Sequence, residues 1–534
     1  MQIEFASKNF YIFLLSAILL MSALWLIDLF IYAGQLLSSW QLLEPAENEN
    51  LVLTWAIKNG HDKSIDTLLS YGILPIYPDF YHRLSAFLPL EPQTSGRFLS
   101  LFAYFSTCMG VYFLAKKRTR SWVISCLFVI ILFGTKNHAL YFLMQRPDSL
   151  YVSLGFLSLI FSWWNLNAEV KLADWVENLE LWRCLLSGLL LGLAILSKQT
   201  ALIFAVVQLI PFIIYLKIYK RLNFLKPALV IGSVSALMIF FYFAAINSAV
   251  FYEYQIGYDL FGKSDPNELY RSISNYYFPL THNGYYFYLL AFIIAILNYK
   301  SREYYPHHLL AFAVLGSASI VTIKMWGNTA AYSNNFIFIS LFGVLFSLYF
   351  WPRDNLNLKK CLVILPLLAF SISGSQYINP QLKIFSMELK SMFNGRSYLS
   401  GLTNPFEANL VKDPILDYVL INPGNYITTR LDNYLIYSNR GIELEGSVLG
   451  MFVYMDFPLT LIQNEDIRAR VNRISNEVRS KINSQYYDGI ILGIQSEAFK
   501  KNFPELNGNY IESIKVPIKQ GVFEFDAVLY LRKI

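Results

Sequence analysis

Charge is scarce in this chain. Asp, Glu, Lys and Arg make up 15% of its 534 residues, where a soluble globular chain carries roughly 25%. That deficit argues against a soluble enzyme, a disordered protein and a nucleic-acid-binding domain, all of which keep charged surfaces. Cysteine is sparse too. Cys108, Cys126, Cys184 and Cys361 lie in or beside apolar runs, with no CxxC pair and no neighbouring His. Neither a disulfide framework nor a zinc site is expected, and the four read as inert buried thiols. Asn-x-Ser/Thr triplets are absent, which is compatible with a bacterial chain. No Gly-rich nucleotide-binding loop, internal repeat or low-complexity tract occurs either. The net charge of +6 is small, so its placement says more than its size.

Apolar and aromatic residues fill the space that charge leaves. Hydrophobic residues reach 55% and aromatics 17%, with 37 Tyr and 42 Phe, which suits many lipid-facing and interfacial positions. A membrane span needs about 20 apolar residues, and about eleven candidate runs meet or approach that length. They are 10–34, 97–115, 121–135, 149–166, 182–198, 200–218, 227–247, 284–299, 308–324, 332–351 and 361–375. The first is as long as a full span and lacks a small-x-small cleavage site, so it reads as a retained helix and not a signal peptide. The fold class is therefore an α-helical polytopic membrane protein over 1–375, followed by a small soluble α/β domain over 376–534.

Lys and Arg in the short loops set the orientation. Lys116, Lys117, Arg118 and Arg120, then Lys217, Lys220, Arg221 and Lys226, then Lys300 and Arg302, then Arg353, Lys359 and Lys360 mark cytoplasmic loops. The longer loops 35–96, 136–148 and 248–283 fall on the other side. The N-terminus is then cytoplasmic and the C-terminal domain extracytoplasmic, in a bacterial inner membrane. Within the first outer loop, 47–59 and 62–70 predict two amphipathic helices on the membrane surface, the first with Leu51, Trp55 and Ile57 near one side. In the last third, 465–483 predicts an amphipathic helix, and 487–494, 510–517 and 522–532 predict strands.

Four polar clusters could carry chemistry. Glu44, Glu47 and Glu49 stand just past the first span, either as a general base at the membrane plane or as a solvated helix N-terminus. Arg146-Pro147-Asp148 opens a span on the outer side, where ionisable residues are functional candidates and Pro is a good helix opener. Ser197-Lys198-Gln199-Thr200 is the one polar place where the apolar run 182–218 can turn. Lys198 there either snorkels or holds a lipid phosphate as a point charge. Gly188 and Gly192 form a helix-packing GxxxG pair. Tyr77, Pro78, His82 and Arg83 would sit at headgroup depth, as an aromatic belt or as part of an anionic-donor site. His61, His138 and His282 show no metal spacing, and His307-His308 falls on the cytoplasmic side.

The ordered set resembles the GT-C superfamily of integral membrane glycosyltransferases, in the branch of aminoarabinose transferases and protein O-mannosyltransferases. It consists of the first span, Glu47 and Glu49, Ala56 and Gly60, Tyr77-Pro78, Arg146-Pro147-Asp148 and the run 188–198, and covers about residues 10–350. Where many members carry Asp or Asp-Glu, this chain has Glu47-Asn48-Glu49. The resemblance implies an inverting transfer of a sugar from a polyprenyl-phosphate donor to a lipid, glycan or protein acceptor at the outer face. Glu47 or Glu49 would be the base. Asp148 would orient the acceptor or bind a divalent cation, with no other cofactor implied. Lys198, Arg146 and Arg83 would hold the phosphate, with Tyr77 and His82 beside them. The alternatives are a transporter or lipid-glycan flippase, and a non-catalytic scaffold presenting the C-terminal domain. A transporter tends to show repeated halves and charges at mid-depth, and neither is visible here.

Overall fold

The computed structural model describes residues 45–62, 78–133, 144–164, 179–208, 225–246, 337–349, 413–422, 424–429, 465–493, 496–520 and 523–533. It also describes residues 16, 30, 33, 34, 36, 37, 212, 351, 431, 434 and 435. The runs expected at 284–299, 308–324 and 361–375, most of 10–34, the helix expected at 62–70, and Glu44, Tyr77 and Cys361 lie outside these residues.

The described helices are α1 (Pro45–Lys58), α2 (Phe80–Phe87), α3 (Pro92–Thr119), α4 (Trp122–Phe133), α5 (Pro147–Trp163), α6 (Leu181–Ser197), α7 (Leu225–Ile246) and α8 (Ile337–Tyr349). A 3-10 turn at Gln199–Ala201 reverses the chain after α6 and leads into helical residues 202–208. Among the described residues, α3 and Leu225–Ala245 of α7 are long and apolar enough to cross a membrane. At 28 residues α3 is about 42 Å long, against a hydrocarbon core of about 30 Å. It opens with Pro92 in its first turn and ends on Lys116, Lys117 and Arg118, with Arg120 in the left-handed region as its C-cap. Phe98, Phe102, Met109 and Phe113 stay exposed on its outward face, while Leu99, Ala103, Tyr104, Val111 and Leu114 are buried. Cys108 borders that outward face and is half-buried, as is Cys126. Among the described cysteines, Cys184 is the one fully buried, as expected from sequence.

The GxxxG pair does close two helices together. A Cβ on Gly188 would come within 2.8 Å of the Ile231 carbonyl oxygen and of Val234 Cβ. One on Gly192 would meet Met238 Cβ at 2.9 Å. The backbones of α6 and α7 therefore touch, and Ser235 Oγ donates to the Gly188 carbonyl at 2.8 Å. Deeper in the bundle, Ser158 Oγ donates to the Ser187 carbonyl (2.8 Å) and Ser187 Oγ to the Ser158 carbonyl (2.9 Å). With both hydroxyl protons committed, Gln208 must present its Nε2 to the two oxygens, at 2.5 and 3.2 Å. Ser158 lies about 16 Å from the start of α5 and Ser187 about 15 Å from the end of α6, so the lock sits at mid-depth.

The C-terminal unit runs α9 (Pro414–Ile421), β1 (Tyr426–Thr429), α10 (Glu465–Asn483), β2 (Gly489–Leu492), α11 (Ser496–Asn502), α12 (Glu505–Asn509), β3 (Tyr510–Gln520) and β4 (Phe523–Arg532). Its sheet order is β1-β2-β4-β3, with β1 parallel to β2 and the other pairs antiparallel. Asp413 caps α9 by accepting from the Ile415 and Leu416 N–H groups, with Pro414 next to it. Helix α10 buries Ile474, Val478 and Ile482.

One core joins the two parts of the chain. Leu51, Val52, Leu53 and Ala56 of α1 belong to the same buried cluster as Ile415, Val419, Tyr426, Leu431, Ile491 and Leu529. This corrects the expectation that 47–59 lies on a membrane surface. The apolar face of α1 is covered by residues from the end of the chain, a partner that local periodicity cannot announce.

Because the Gly188 contact includes a backbone carbonyl, which cannot rotate away, Gly188→Val should destabilise the protein by about 1–3 kcal/mol. Gly232 in α7 has nothing within 4 Å of its Cβ position. Gly232→Ala should be neutral or gain up to about 1 kcal/mol of helix propensity. Thermal unfolding of the two variants in detergent checks both signs.

Candidate active site

Several helix ends meet at one end of the bundle. Arg146 is extended (φ −144°, ψ 146°), as a residue before proline must be, and Pro147 and Asp148 then form the first turn of α5. Helix α6 arrives there with its C-terminus. It stops because Lys198 is extended (φ −160°, ψ 131°) and the 3-10 turn follows. The result is a buried three-residue cluster. Asp148 Oδ1 accepts from Lys198 Nζ at 2.7 Å, and Oδ2 accepts from Arg146 Nε at 3.1 Å. Asp148 is 2% exposed, Lys198 5% and Arg146 6%. The ammonium of Lys198 also lies 5.5 Å from the centre of the Tyr151 ring.

A second buried pair lies beside it. Arg97 reaches both oxygens of Glu47, with Nη2 to Oε2 at 2.9 Å and Nε to Oε1 at 3.2 Å. Its Nη1 donates to the Leu36 carbonyl at 2.9 Å. The backbone N–H of Gln145 adds a third bond to Glu47 Oε1, at 2.7 Å. The Gln145 side chain donates to Thr54 Oγ1 on α1 (3.3 Å) and to the Pro92 carbonyl (3.2 Å). It lies flat on Gly96, where a Cβ would come within 2.2 Å of it. Gln145 and Arg146 are consecutive, so the two clusters share one stretch of backbone.

Helix α2 closes the arrangement. Tyr81 donates to the Gly96 carbonyl at 2.8 Å and lies 3.0 Å from Ser100 Oγ. Burial holds its phenol well above the ordinary value, and the nearby carboxylates of Glu47 and Asp148 push the same way. Thr54 Oγ1 lies 2.8 Å from the Asn50 carbonyl and 3.3 Å from His82 Nδ1. Burial pushes the His82 imidazole down to about 3, so the ring is neutral at physiological pH. Arg83 pairs instead with Asp79 (2.5 Å) and Asp62 (2.7 Å), and Asp79 also accepts from Tyr242 Oη of α7 at 2.8 Å. Burial raises the Asp79 carboxyl above its usual range, against the opposing pull of Arg83 and Tyr242.

The whole fold has solved counterparts. The crystal structure of ArnT from Cupriavidus metallidurans bound to undecaprenyl phosphate superposes with a TM-score of 0.54 at 12% identity, over 96% of this chain and 98% of that one. Its apo form superposes with a TM-score of 0.53 at 11% identity, over 98% of both chains. The chain has a GT-C fold. The archaeal oligosaccharyltransferase AglB from Archaeoglobus fulgidus, in complex with an inhibitory peptide and a dolichol-phosphate, also aligns, with a TM-score of 0.47 at 12% identity over 94% of this chain and 73% of that one. No family model matches the chain, and no curated protein matches it by sequence.

Within this fold the predicted site residues divide into groups. Arg146, Asp148 and Lys198 come together. Glu47 lies next to them but is clamped by Arg97, while Glu49, two residues on, is half-buried. His82 faces α1, and Arg83 belongs to the Asp79 cluster. Among the described residues no group of three His, Cys, Asp or Glu side chains gathers as a metal site. Asp148 itself is flanked by two cations, which makes it a poor cation ligand. Sequence reading missed Arg97, Gln145, Tyr81 and Asp79. A signal for Arg97 did exist: an ionisable residue inside an apolar run is costly to place. With the span taken to begin at 97, Arg97 passed for its edge.

Breaking one partner of a buried pair leaves the other charge uncompensated, at a cost of about 3–5 kcal/mol. Glu47→Gln and Arg97→Met should each lower the unfolding temperature strongly, and the double variant should recover part of the loss. Thermal unfolding of the three purified proteins measures this. A second expectation concerns acid. Because the His82 folded-state value of about 3 lies below the unfolded 6.5, the unfolded chain binds a proton that the folded one does not. Stability should therefore fall as pH drops from 6.5 towards 3. His82→Gln should flatten that limb, as read from unfolding midpoints across the range.

Proposed function

We propose that the chain is an inverting glycosyltransferase that moves a sugar from a polyprenyl-phosphate donor to an acceptor at the outer face of the membrane. The observation that carries this reading is the pair of buried cations, Arg146 and Lys198, gathered at one end of a bundle whose fold is that of the undecaprenyl-phosphate-bound ArnT. In such a transfer the anomeric C–O bond breaks towards the lipid phosphate, which gains negative charge. Cations fixed in a water-poor pocket stabilise that charge far more than they would in water. A carboxylate takes the acceptor's proton as its oxygen attacks. Inversion places that carboxylate across the anomeric carbon from the phosphate, so Asp148, in contact with both phosphate-holding cations, is on the wrong side. Both Glu47 oxygens accept from Arg97, with Gln145 N–H adding a further bond. The role of base goes to the other acid that the resemblance offers on the same helix, Glu49, which is half-buried.

The placement of charge supports the orientation. Lys116, Lys117 and Arg118 close α3 at one end, while Arg97 sits 21 residues away at the other, a distance of about 32 Å along the helix. The basic end is the cytoplasmic one, which puts the cluster outside. The C-terminal unit shares its core with α1, which starts at the cluster end, so it belongs on the same side. A domain boundary near 375 and a bacterial inner membrane complete the reading. The transporter alternative gains no support: among the described residues, the ion pairs of the helices lie at their ends, and the lock at mid-depth is neutral.

Glycolipid and glycan profiles of cells with and without the gene test the activity directly, and one species should disappear with the gene. Glu49→Gln should lower transfer by about 10²–10⁴-fold with the unfolding temperature near that of the parent. Near-parent turnover in that variant overturns the assignment of the base, and unchanged profiles overturn the transferase.

A further inference from the structure

If Asp148 is not the base, its place between the two cations needs another account. The three side chains carry two positive charges and one negative, all nearly buried. A polyprenyl-phosphate-linked sugar is a phosphodiester and brings one negative charge to the two cations. Transfer then changes that charge. The acceptor hydroxyl oxygen forms the new bond to the anomeric carbon, and its proton goes to the base. The electron pair of the broken C–O bond stays on the phosphate. The carrier leaves as a phosphomonoester, whose charge at pH 7 is about −1.5 to −2. The product therefore presents more negative charge beside Asp148 than the donor did, and the repulsion between the two anions grows.

We propose that Asp148 is the release residue of the site: it competes with the spent carrier phosphate for Lys198 and Arg146 and so drives the product out. This rests on the reading above and adds a role that the transfer step does not require. The geometry suits it. Each Asp148 oxygen faces a different cation, at 2.7 and 3.1 Å, so the carboxylate can reclaim both as the phosphate withdraws. Glu47, another buried carboxylate among the described residues, has its own guanidinium in Arg97. The ammonium of Lys198 is a point charge that can follow either anion without losing a fixed geometry.

The test is binding of undecaprenyl phosphate, a phosphomonoester, to the purified full-length chain in lipid nanodiscs. Affinity should follow the net charge of the three side chains. Asp148→Asn should bind about tenfold tighter than the parent, and Lys198→Met about tenfold weaker or worse. The double variant restores the parent's net charge and should return to within a few-fold of it. Tighter binding is a change that loss of structure cannot produce. Should Asp148→Asn alone fail to fold, the comparison of the double variant with Lys198→Met carries the test, with the double variant expected to bind about tenfold tighter. If the parent binds and Lys198→Met is weakened but removing Asp148 brings no tightening, the release role is overturned and the phosphate site stands. If the parent does not bind undecaprenyl phosphate, the phosphate reading fails and the release role fails with it.

Discussion

The buried pair of Glu47 and Arg97 is the constraint on which the rest of the outer end depends. An Arg inside a span is expensive unless its charge is met and its N–H groups are bonded. Glu47 meets the charge, Leu36 takes another N–H, and the Gln145 N–H fills the remaining direction on the carboxylate. Three stretches of chain far apart in sequence are thereby held at one point: the helix after the first span, the start of α3 and the loop that opens α5. The position of Arg146 and Asp148 follows, because they continue directly from Gln145. Lys198 completes the site from the end of α6, whose own position is set by glycine contacts with α7 on one side and the serine–glutamine lock with α5 on the other.

The two clusters have different characters, and the difference assigns them different work. Arg97 and Glu47 form a matched fork, one charge against one, with the geometry that fixes orientation. In the Asp148 cluster two cations meet one carboxylate, each through a different oxygen. The first suits holding a scaffold and the second suits handling a ligand whose charge changes. Tyr81, buried and acted on by both carboxylates, has its hydroxyl spent on Gly96 and Ser100.

Much of this was legible in the sequence, and the reasons are local. The spans over 97–115, 121–135, 149–166 and 182–198 coincide with described helices because a run of apolar residues leaves the backbone little else to do in a membrane. The turn at Ser197-Lys198 was visible as the one polar break in a run twice the length of a span. Arg146-Pro147-Asp148 announced a helix start by proline and the dipole. Periodicity also found α10 and three of the four strands. What escaped depended on distant partners. The four residues of β1 are too short a run to stand out, and α9 is two turns long. The role of Glu47 could not be read without Arg97, fifty positions away. The covering of α1 could not be read at all, since its partners lie in the last quarter of the chain.

That last feature bears on how the protein comes to exist. Ala56 of α1 and Ile415 of α9 belong to one core, yet they are 359 positions apart. At a synthesis rate of about 5–20 residues per second, α1 waits roughly 20–70 s, with its apolar face uncovered, until its partners emerge from the ribosome. Through that interval the helix bearing Glu47 and Glu49 lacks its packing against the C-terminal residues while the spans are already being inserted. The outer face is therefore finished last, by the tail of the chain, and a ribosome that stops short would leave the spans in place around an unfinished centre.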